Sequence, residues 1–202
     1  SIIGAGSWGI ALASLLYHQG NKITVWSAVG SEINALNTTR RLTTLPDLKL
    51  PESMFFTEDL EQAMKDSDML IMAVPSIYVR QTAEKMRPFC KKGQILVNVA
   101  KGIEDVTLMT LSAVIEQELP MADVAVLSGP SHAEEVSRGL PTTCVVGARS
   151  RQTAEWIQER FMSPVFRVYT SPDILGIEIG GALKNVIALA AGIADGLGYG
   201  DN

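Results

Sequence analysis

Three glycines near the start of the chain have the spacing of a phosphate-binding turn. Residues 4–9 read G-A-G-S-W-G, which fits the pattern G-x-G-x-x-G. In this pattern Gly4 permits a tight turn, Gly6 lets a pyrophosphate approach the backbone, and Gly9 permits close packing of helix on strand. The N-terminus of the following helix offers free N–H groups and a positive dipole end. Because an Ile-Ile strand precedes the turn and a helix follows it, we expect a dinucleotide-binding site.

The residues that read the adenosine ribose are expected about 20 positions further on, at the end of the second strand. This chain has Ser27 and Ala28 there, and Glu32 lies beyond the expected position. No basic side chain stands there to bind a 2′-phosphate, although Arg40 and Arg41, in a following loop, could reach it. We therefore predict use of both NAD and NADP, with a modest preference of unknown sign.

Further polar residues follow two later predicted strands. Lys101 follows the strand 94–99 and places a cation at the carboxyl edge of the sheet, where ligands of open α/β sheets bind. A solvated surface lysine is the alternative. Ser131 and Glu134 follow the strand 124–127 and fit an S-x-x-E capping box, so Ser131 is expected to cap a helix over 131–138. The start of that helix is also an expected anion site.

A long apolar helix near the end of the chain carries one lysine. On a 3.6-residue period Gly180, Gly181 and Lys184 share a face. Each glycine costs a helix about 1 kcal/mol relative to alanine, which indicates close packing against another helix or against a ligand. Lysine is rarely buried without a partner, so we predict that Lys184 lies in a crowded pocket against a bound ligand. Glu178 and Asn185 project on a neighbouring face and are expected to orient Lys184 or to bind polar substrate groups.

The elements that must position these residues alternate along the chain. Short apolar runs predict strands at 1–3, 22–26, 69–74, 94–99, 124–127, 143–146 and 166–169. Helical patterns lie at 8–19, 31–37, 60–65, 77–86, 107–118, 131–138 and 151–161, and residues 38–53 read as a long loop. This alternation predicts an α/β fold with a doubly wound, mostly parallel sheet.

The pattern changes near residue 171. Ser171 and Pro172 are a good helix start, and the apolar helix 174–195 is far longer than any before it. We therefore predict a dinucleotide-binding domain over 1–170 and the first helix of an all-α domain over 171–202. The absence of an initiator Met and of a closing element after this helix leads us to expect a fragment of a longer chain.

Composition narrows the range of partners. The chain has 202 residues, 47% of them hydrophobic, and its 17 Lys+Arg against 22 Asp+Glu give a net charge of −5, which argues against nucleic acid. The longest apolar run, 186–194, ends at Asp195, short of the roughly 18 residues of a membrane span, so we expect no integral membrane segment. Two separated cysteines and two histidines favour a cytoplasmic protein without a metal site.

Taken together, five stretches resemble one family. They are the turn at 4–9, A-V-P at 73–75, K-G-I-E at 101–104, L-S-G-P-S-H-A-E-E-V at 127–136, and E-I-G-G-A-L-K-N-V at 178–186 with D-G-L-G at 195–198. In this order they are similar to the bacterial-type NAD(P)-dependent glycerol-3-phosphate dehydrogenases, over the whole chain. The resemblance implies a Rossmann-type sheet followed by a helical second domain that continues past residue 202 and supplies further active-site residues.

The resemblance also implies an activity, the interconversion of dihydroxyacetone phosphate and sn-glycerol 3-phosphate by hydride transfer with NAD(P)H, which feeds glycerophospholipid synthesis. To the three glycines of the turn it adds cofactor contacts from Ser7, Trp8, Lys101 and Ala133. It implies substrate contacts from Lys101, Gly129, Ser131 and Lys184, beside the Asn185 already considered, with Lys184 as the catalytic proton donor or acceptor. Many members carry Arg or His where this chain has Ala28. A homodimer is compatible with the sequence, which does not fix the oligomeric state.

Two other readings stay open. A related two-domain dehydrogenase, acting on a β-hydroxyacid or on ketopantoate, would share the glycine turn but not Lys184-Asn185 after two glycines. A non-catalytic dinucleotide-binding module would bind the nucleotide without turnover.

Overall fold

The computed structural model describes residues 1–199 as one eight-stranded sheet with eight α-helices. The strands are β1 Ile2–Ile3, β2 Thr24–Trp26, β3 Phe55–Thr57, β4 Met69–Met72, β5 Ile95–Asn98, β6 Asp123–Ser128, β7 Thr142–Ala148 and β8 Phe166–Ser171. The helices are α1 Ser7–His18, α2 Gly30–Thr39, α3 Leu60–Met64, α4 Val79–Met86, α5 Leu111–Glu118, α6 Ala133–Ser137, α7 Arg151–Phe161 and α8 Ile174–Gly196. The predicted α/β class and the mostly parallel, doubly wound sheet are confirmed.

The strand order places the glycine turn where the winding of the sheet reverses. The order is β3-β2-β1-β4-β5-β6-β7-β8, and β1 pairs in parallel with β2 on one side and β4 on the other. Chain segments leaving β1 and β4 therefore diverge at the carboxyl edge and leave a crevice between them, which is the usual ligand position in such sheets. Residues 4–9, where a dinucleotide-binding site is expected, lie at this switch point.

The core lies on both faces of the sheet. Ile2 and Ile3 are fully buried, and because successive side chains of a strand point to opposite faces they belong to two different hydrophobic clusters. Val25 and Trp26 on β2 divide in the same way. The consecutive apolar residues of the central strands are thus explained by helices that cover both faces.

The strand β3 is absent from the sequence predictions. It has only three residues, Phe55–Thr57, and pairs in parallel with the edge of β2. A segment of three residues is too short to show the alternation of a strand. It becomes a strand because its backbone pairs with the exposed edge of β2. The helix predicted over 107–118 begins only at Leu111, because Leu108 adopts a positive φ of 56° in a turn that precedes the helix.

The last two strands reverse direction relative to the rest. β7 is antiparallel to β6, and β8 is parallel to β7. An antiparallel return needs no crossover to the opposite edge, so the whole segment between β6 and β7, including α6, stays at the carboxyl edge of the sheet. This reversal brings residues 129–141 to the same edge as the glycine turn.

The helix α8 lies along β6 and β7 and then extends past the sheet. A Cβ on Gly147, near the end of β7, would lie 2.7 Å from Ile177, and a Cβ on Gly181 would lie 2.7 Å from Ser128 Oγ at the end of β6. The helix therefore crosses the sheet in its first two turns. Beyond Ala182 its residues are almost all exposed. The helix start expected at Ser171 and Pro172, with Ser171 as N-cap, is two residues early: Asp173 is the N-cap, and its carboxylate accepts from the Gly176 N–H at 2.8 Å.

By length and composition α8 is also apolar enough to cross a membrane, with a mean hydropathy of 1.6, and it is the only helix of residues 1–199 that is. This finding differs from the expectation drawn from the run 186–194, because it averages hydropathy over a window of 18 residues that tolerates a few charged side chains. Length and hydropathy alone do not separate a membrane span from an apolar helix that packs inside a protein.

Candidate active site

An open cleft of about 690 Å³ follows the carboxyl edge of the sheet. It extends from the end of β2, past the glycine turn, to Lys101 after β5 and to the start of α6. All these segments meet at one edge because β1, β2, β4 and β5 are parallel and α6 precedes the reversed strand β7. The cleft is long enough to bring a nucleotide-binding turn and a lysine into one site.

The three glycines of the turn have different roles. Gly4 has a φ of +125°, and a Cβ there would lie 2.7 Å from the backbone of Ala73. A Cβ on Gly9 would lie 2.2 Å from the Gly4 carbonyl oxygen, so Gly9 is required for the close packing of α1 on β1. A Cβ on Gly6 would meet no atom within 4 Å. Gly6 thus faces the open cleft, where an approaching pyrophosphate needs a bare backbone.

Two side chains at the start of α1 border the same cleft. Ser7 Oγ lies 2.6 Å from Thr44 Oγ1, which ties the long loop after α2 to the glycine turn. Trp8 lines the cleft, and its indole Nε1–H is buried without an acceptor among residues 1–199. A buried donor without a partner costs about 1–3 kcal/mol, so this indole N–H is an unsatisfied group next to the cleft.

Lys101 reaches from β5 across to the segment after β6. Its Nζ donates to the Gly129 carbonyl at 3.0 Å and lies 3.4 Å from Ser131 Oγ, which itself donates to the Gly129 carbonyl at 3.3 Å. Burial lowers the pKa of Lys101, and the positive charge of Lys184 lowers it further. The group is a partly desolvated cation at the rim of the cleft, which suits it to binding an anionic ligand.

The segment under Ser131 is tightly packed. A Cβ on Gly129 would lie 2.6 Å from the Thr143 carbonyl oxygen and 3.2 Å from Cys144 Sγ. Burial raises the pKa of the Cys144 thiol to about 11, although the charge of Lys101 and a hydrogen bond with Ser131 act in the opposite direction. This thiol is therefore a neutral support beneath the rim.

Ser131 does not cap α6, contrary to the capping-box prediction. α6 spans only Ala133–Ser137, its N-cap is His132, and no side chain caps it. The Ser131 hydroxyl instead faces Lys101 and Gly129, because the chain remains extended at His132 and delays the helix by two residues. The hydroxyl thus lies at the site and not in the helix.

Lys184 and Asn185 lie just past the sheet edge. Both are exposed, and Lys184 Nζ donates to Asn185 Oδ1 at 3.0 Å. The crowded pocket predicted around Lys184 is not formed by the described residues. Two glycines precede Lys184 on the helix. A Cβ built on Gly181 would contact Ser128 and lie 3.6 Å from Lys101 Cγ, whereas a Cβ on Gly180 would meet no atom within 4 Å.

Glu178 does not orient Lys184, contrary to expectation. Its buried carboxylate accepts from the Ser112 N–H at 2.8 Å and from the Ser112 hydroxyl at 2.5 Å. These bonds join α8 to the first turn of α5, where helix N–H groups lack intrahelical partners. Glu178 therefore fixes the position of α8 six residues before Lys184.

The structure brings most of the predicted residues together. The predicted residues that line the cleft are Gly4, Gly6, Ser7, Trp8, Lys101, Ser131 and Ala133. Gly9 and Gly129 support it from behind. Within residues 1–199 no group of three or more His, Cys, Asp or Glu side chains is arranged to hold a metal ion.

Comparison with known proteins identifies the family. The family model described as the N-terminus of NAD-dependent glycerol-3-phosphate dehydrogenase matches residues 1–154, and the model of its C-terminus matches 173–202. The chain belongs to this family.

Curated relatives of the family agree with this assignment. The chain is 61% identical over 202 residues to the glycerol-3-phosphate dehydrogenase [NAD(P)+] of Agathobacter rectalis, covering 100% of this chain and 60% of that protein. It is 48% identical to the enzyme of the same name from Bacillus subtilis, again covering 100% of this chain and 60% of that protein. The chain thus spans about 60% of the length of these relatives.

A solved structure of the family has the same fold. The crystal structure of glycerol-3-phosphate dehydrogenase from Coxiella burnetii matches with a TM-score of 0.87 at 32% identity, over 100% of this chain and 62% of that one. A pyrroline-5-carboxylate reductase from the same organism matches at 14% identity with a TM-score of 0.66, which shows a shared fold only.

Sequence reasoning missed two parts of the cleft. Glu32 was expected to lie beyond the site, yet it lines the cleft and accepts a hydrogen bond from Ser27 Oγ at 2.6 Å. Tyr78, Gln81 and Lys85 form a further wall. Tyr78 is the N-cap of α4, and Gln81 and Lys85 lie on the helix. Their three- to four-residue spacing is a signal that could have found this wall, since such residues are neighbours on a helix.

The two loop arginines are engaged away from the cleft. Arg40 donates to the Met54 carbonyl at 2.7 Å and lies over the ring of Phe56, 5.0 Å from its centroid. Arg41 donates to the Pro46 carbonyl at 3.1 Å. Neither lines the cleft, so the suggestion that they reach a 2′-phosphate is not supported.

Proposed function

We propose that this protein interconverts dihydroxyacetone phosphate and sn-glycerol 3-phosphate with NAD(P)H, a reaction that supplies glycerophospholipid synthesis. The observation that carries the proposal is the meeting of two distant segments at one sheet edge. Gly181 of α8 packs on Ser128 and beside Lys101, so the helix that bears Lys184 ends its crossing of the sheet at the cleft of the glycine turn.

The cleft fits a dinucleotide. Gly6 leaves open space at the turn, the start of α1 offers unpaired N–H groups to phosphates, and the buried Trp8 Nε1–H lacks an acceptor in the described chain. We assign cofactor binding to Gly4, Gly6, Ser7, Trp8, Gly9, Lys101 and Ala133, with Gly4 and Gly9 acting through the shape of the turn. When bound, the reduced nicotinamide supplies the hydride for the substrate carbonyl.

The rim beyond the cleft is the proposed substrate side. Lys101 and the Ser131 hydroxyl converge on the Gly129 carbonyl and present a cation and a hydroxyl to a phosphate or carbonyl oxygen. Lys184 is the proposed proton donor to the ketone oxygen and, in the reverse direction, the acceptor from the alcohol. Asn185, which accepts from Lys184 Nζ, holds that amine and offers its amide to the substrate.

We propose a division of the chain near residue 171. β8 ends at Ser171 and α8 begins at Ile174. We assign α8, whose first two turns pack on β6 and β7, to the start of an all-α region that follows the sheet. The proposed partner is a small phosphorylated substrate and not nucleic acid, in keeping with the net charge of −5. The free cysteines Cys90 and Cys144 suit the cytoplasm, where thiols stay reduced, and a homodimer stays a prediction.

Neither rival reading is favoured by a specific observation. A β-hydroxyacid or ketopantoate dehydrogenase would not need Lys184-Asn185 after Gly180-Gly181, and the matching family models describe glycerol-3-phosphate dehydrogenase at both ends of the chain. The reading of the protein as a non-catalytic dinucleotide-binding module is tested by measuring turnover of dihydroxyacetone phosphate.

The experiment offers dihydroxyacetone phosphate to the full-length protein with NADH or NADPH and follows the loss of reduced nicotinamide. Consumption that depends on dihydroxyacetone phosphate, with ketopantoate and a β-ketoacid as unreactive controls, is the expected result. Nucleotide binding without consumption would favour the non-catalytic module, and consumption with ketopantoate alone would favour the related dehydrogenase.

A further inference from the structure

A serine and a glutamate at the end of β2 form a fixed pair in the wall of the cleft. Ser27 is buried, and its hydroxyl oxygen accepts from the Val29 N–H at 3.1 Å. The single hydroxyl proton is therefore free to point at Glu32, and Ser27 Oγ donates it to Glu32 Oε2 at 2.6 Å. A flexible carboxylate on the first turn of α2 is thus held to the end of β2.

The position of this pair matters for a dinucleotide. Ser27, Ala28 and Glu32 line the same cleft as Gly6, on its β2 side. In a sheet of this topology the pyrophosphate lies at the glycine turn and the adenosine ribose lies at the end of the second strand. A carboxylate oxygen there accepts from the ribose 2′-hydroxyl, whereas a 2′-phosphate would bring a second anion against it.

No basic side chain of the β2–α2 segment offsets that repulsion. Arg40 and Arg41, which follow α2, are bound to the carbonyls of Met54 and Pro46. The two lysines that line the cleft belong to other segments, Lys85 to α4 and Lys101 to the end of β5. The segment next to the ribose position therefore presents a carboxylate alone.

We propose that Glu32, positioned by Ser27, binds the adenosine ribose hydroxyls and discriminates against a 2′-phosphate, so that this protein prefers NAD(H) to NADP(H). The inference rests on the proposed function only in requiring that the cleft bind a dinucleotide. It gives a sign and a larger size to the modest preference predicted from the sequence, because the missing carboxylate is supplied from α2 instead of from the strand end.

The test is the ratio of the dissociation constants for NADPH and NADH, measured by calorimetry without substrate. The protein is expected to bind NADH at least about tenfold more tightly, since a single charge-assisted hydrogen bond corresponds to about 10- to 100-fold in affinity. In Glu32→Gln the ratio of the NADPH to the NADH dissociation constant should fall by at least about tenfold, mainly because NADPH binds more tightly.

Two further variants separate position from charge. Ser27→Ala releases the Glu32 carboxylate without removing it, so the ratio of the two dissociation constants should fall by a smaller factor of about threefold. General damage to the cleft would instead weaken the binding of both nucleotides equally. Glu61→Gln is the matched control, because Glu61 is an exposed glutamate on the first turn of α3 and does not line the cleft. Its ratio should equal that of the unmodified protein.

The outcomes distinguish this inference from the proposed function. Equal affinity for the two nucleotides, a preference for NADPH, or an unchanged ratio in Glu32→Gln would overturn the inference and leave the proposed function intact. Binding of neither nucleotide would overturn both. The ratio in the unmodified protein needs no substitution, so the inference is testable even if a variant fails to fold.

Discussion

The glycine turn and the rim around Lys184 lie at the same edge of the sheet but differ in how fully the chain surrounds them. The turn is enclosed by β1, β4 and α1, and two of its glycines touch backbone atoms so closely that no side chain would fit. Lys184 and Asn185 are exposed and contact each other. Nucleotide recognition is therefore built from local packing, whereas the proposed proton transfer depends on a side chain that the described residues position but do not enclose.

This difference also determines whether a substitution changes stability and nucleotide affinity or changes turnover. Substitutions at Gly4 and Gly9 act on folding because they alter packed backbone, whereas a substitution at Gly6 acts on nucleotide affinity because its Cβ would enter the cleft. Substitutions at the rim act on turnover, because an exposed side chain contributes little to packing.

The largest expected effect comes from Lys184→Ala. Removing a general acid lowers the turnover of dihydroxyacetone phosphate by at least about 100-fold, while the dissociation constant for NADH stays the same. Steady-state kinetics and calorimetry on the full-length protein measure the two quantities. Lys92→Ala, at an exposed lysine far from the cleft, is the control. Near-normal turnover in Lys184→Ala would refute its catalytic role.

The glycine turn and most of the sheet could be predicted from the sequence. The glycine turn was predicted fully, because its spacing encodes a local backbone geometry that few other contexts require. The parallel sheet followed from the alternation of apolar runs with helical patterns. The strand Phe55–Thr57 could not be predicted, because three residues become a strand only through pairing with β2.

The roles of individual polar side chains were harder to predict. Ser131 fits a capping box by its spacing, yet it faces Lys101, and Glu178 binds Ser112 on another helix. Glu32 reaches the cleft through a serine five residues earlier. Each outcome depends on which elements meet in space, and the local pattern carries no information about that.

A second prediction separates the glycines. In Gly9→Ala the new Cβ would lie 2.2 Å from the Gly4 carbonyl, so the free energy of unfolding falls by about 1–3 kcal/mol or more as the turn shifts. In Gly6→Ala the Cβ meets open space, so stability changes by less than about 0.5 kcal/mol while NADH affinity falls. Denaturant unfolding measures the stability of the two variants, and calorimetry measures their NADH affinity. Equal losses of stability in Gly6→Ala and Gly9→Ala would show that the two glycines do not differ in packing.

A third prediction concerns the anchor of α8. Glu178→Ala leaves the buried Ser112 N–H and hydroxyl without their acceptors and lowers the free energy of unfolding by about 1–2 kcal/mol. Turnover falls as well, because α8 then carries Lys184 less accurately, but the dissociation constant for NADH is preserved. A loss of NADH affinity as large as the loss of turnover would argue against a separate anchor.

The smallest expected effect is on pH dependence. Because the pKa of Lys101 is lowered, its positive charge is lost at a lower pH than that of an ordinary lysine, and affinity for glycerol 3-phosphate falls as pH rises toward that pKa. Lys184→Ala removes a neighbouring positive charge and should move this fall to higher pH. Titrations from about pH 7 to 10 measure it. A fall at the same pH in both proteins would show that the two lysines do not interact.

Calorimetric titration of residues 1–202 with NADH tests the central claim most directly, because it isolates the enclosed part of the site. Saturable binding at one site per chain, weakened by Gly6→Ala and accompanied by little or no reduction of dihydroxyacetone phosphate, is the predicted result. Absence of binding, or binding that Gly6→Ala leaves unchanged, would contradict the assignment of the cleft. Rapid reduction of dihydroxyacetone phosphate by the same residues would contradict the separation of the two regions.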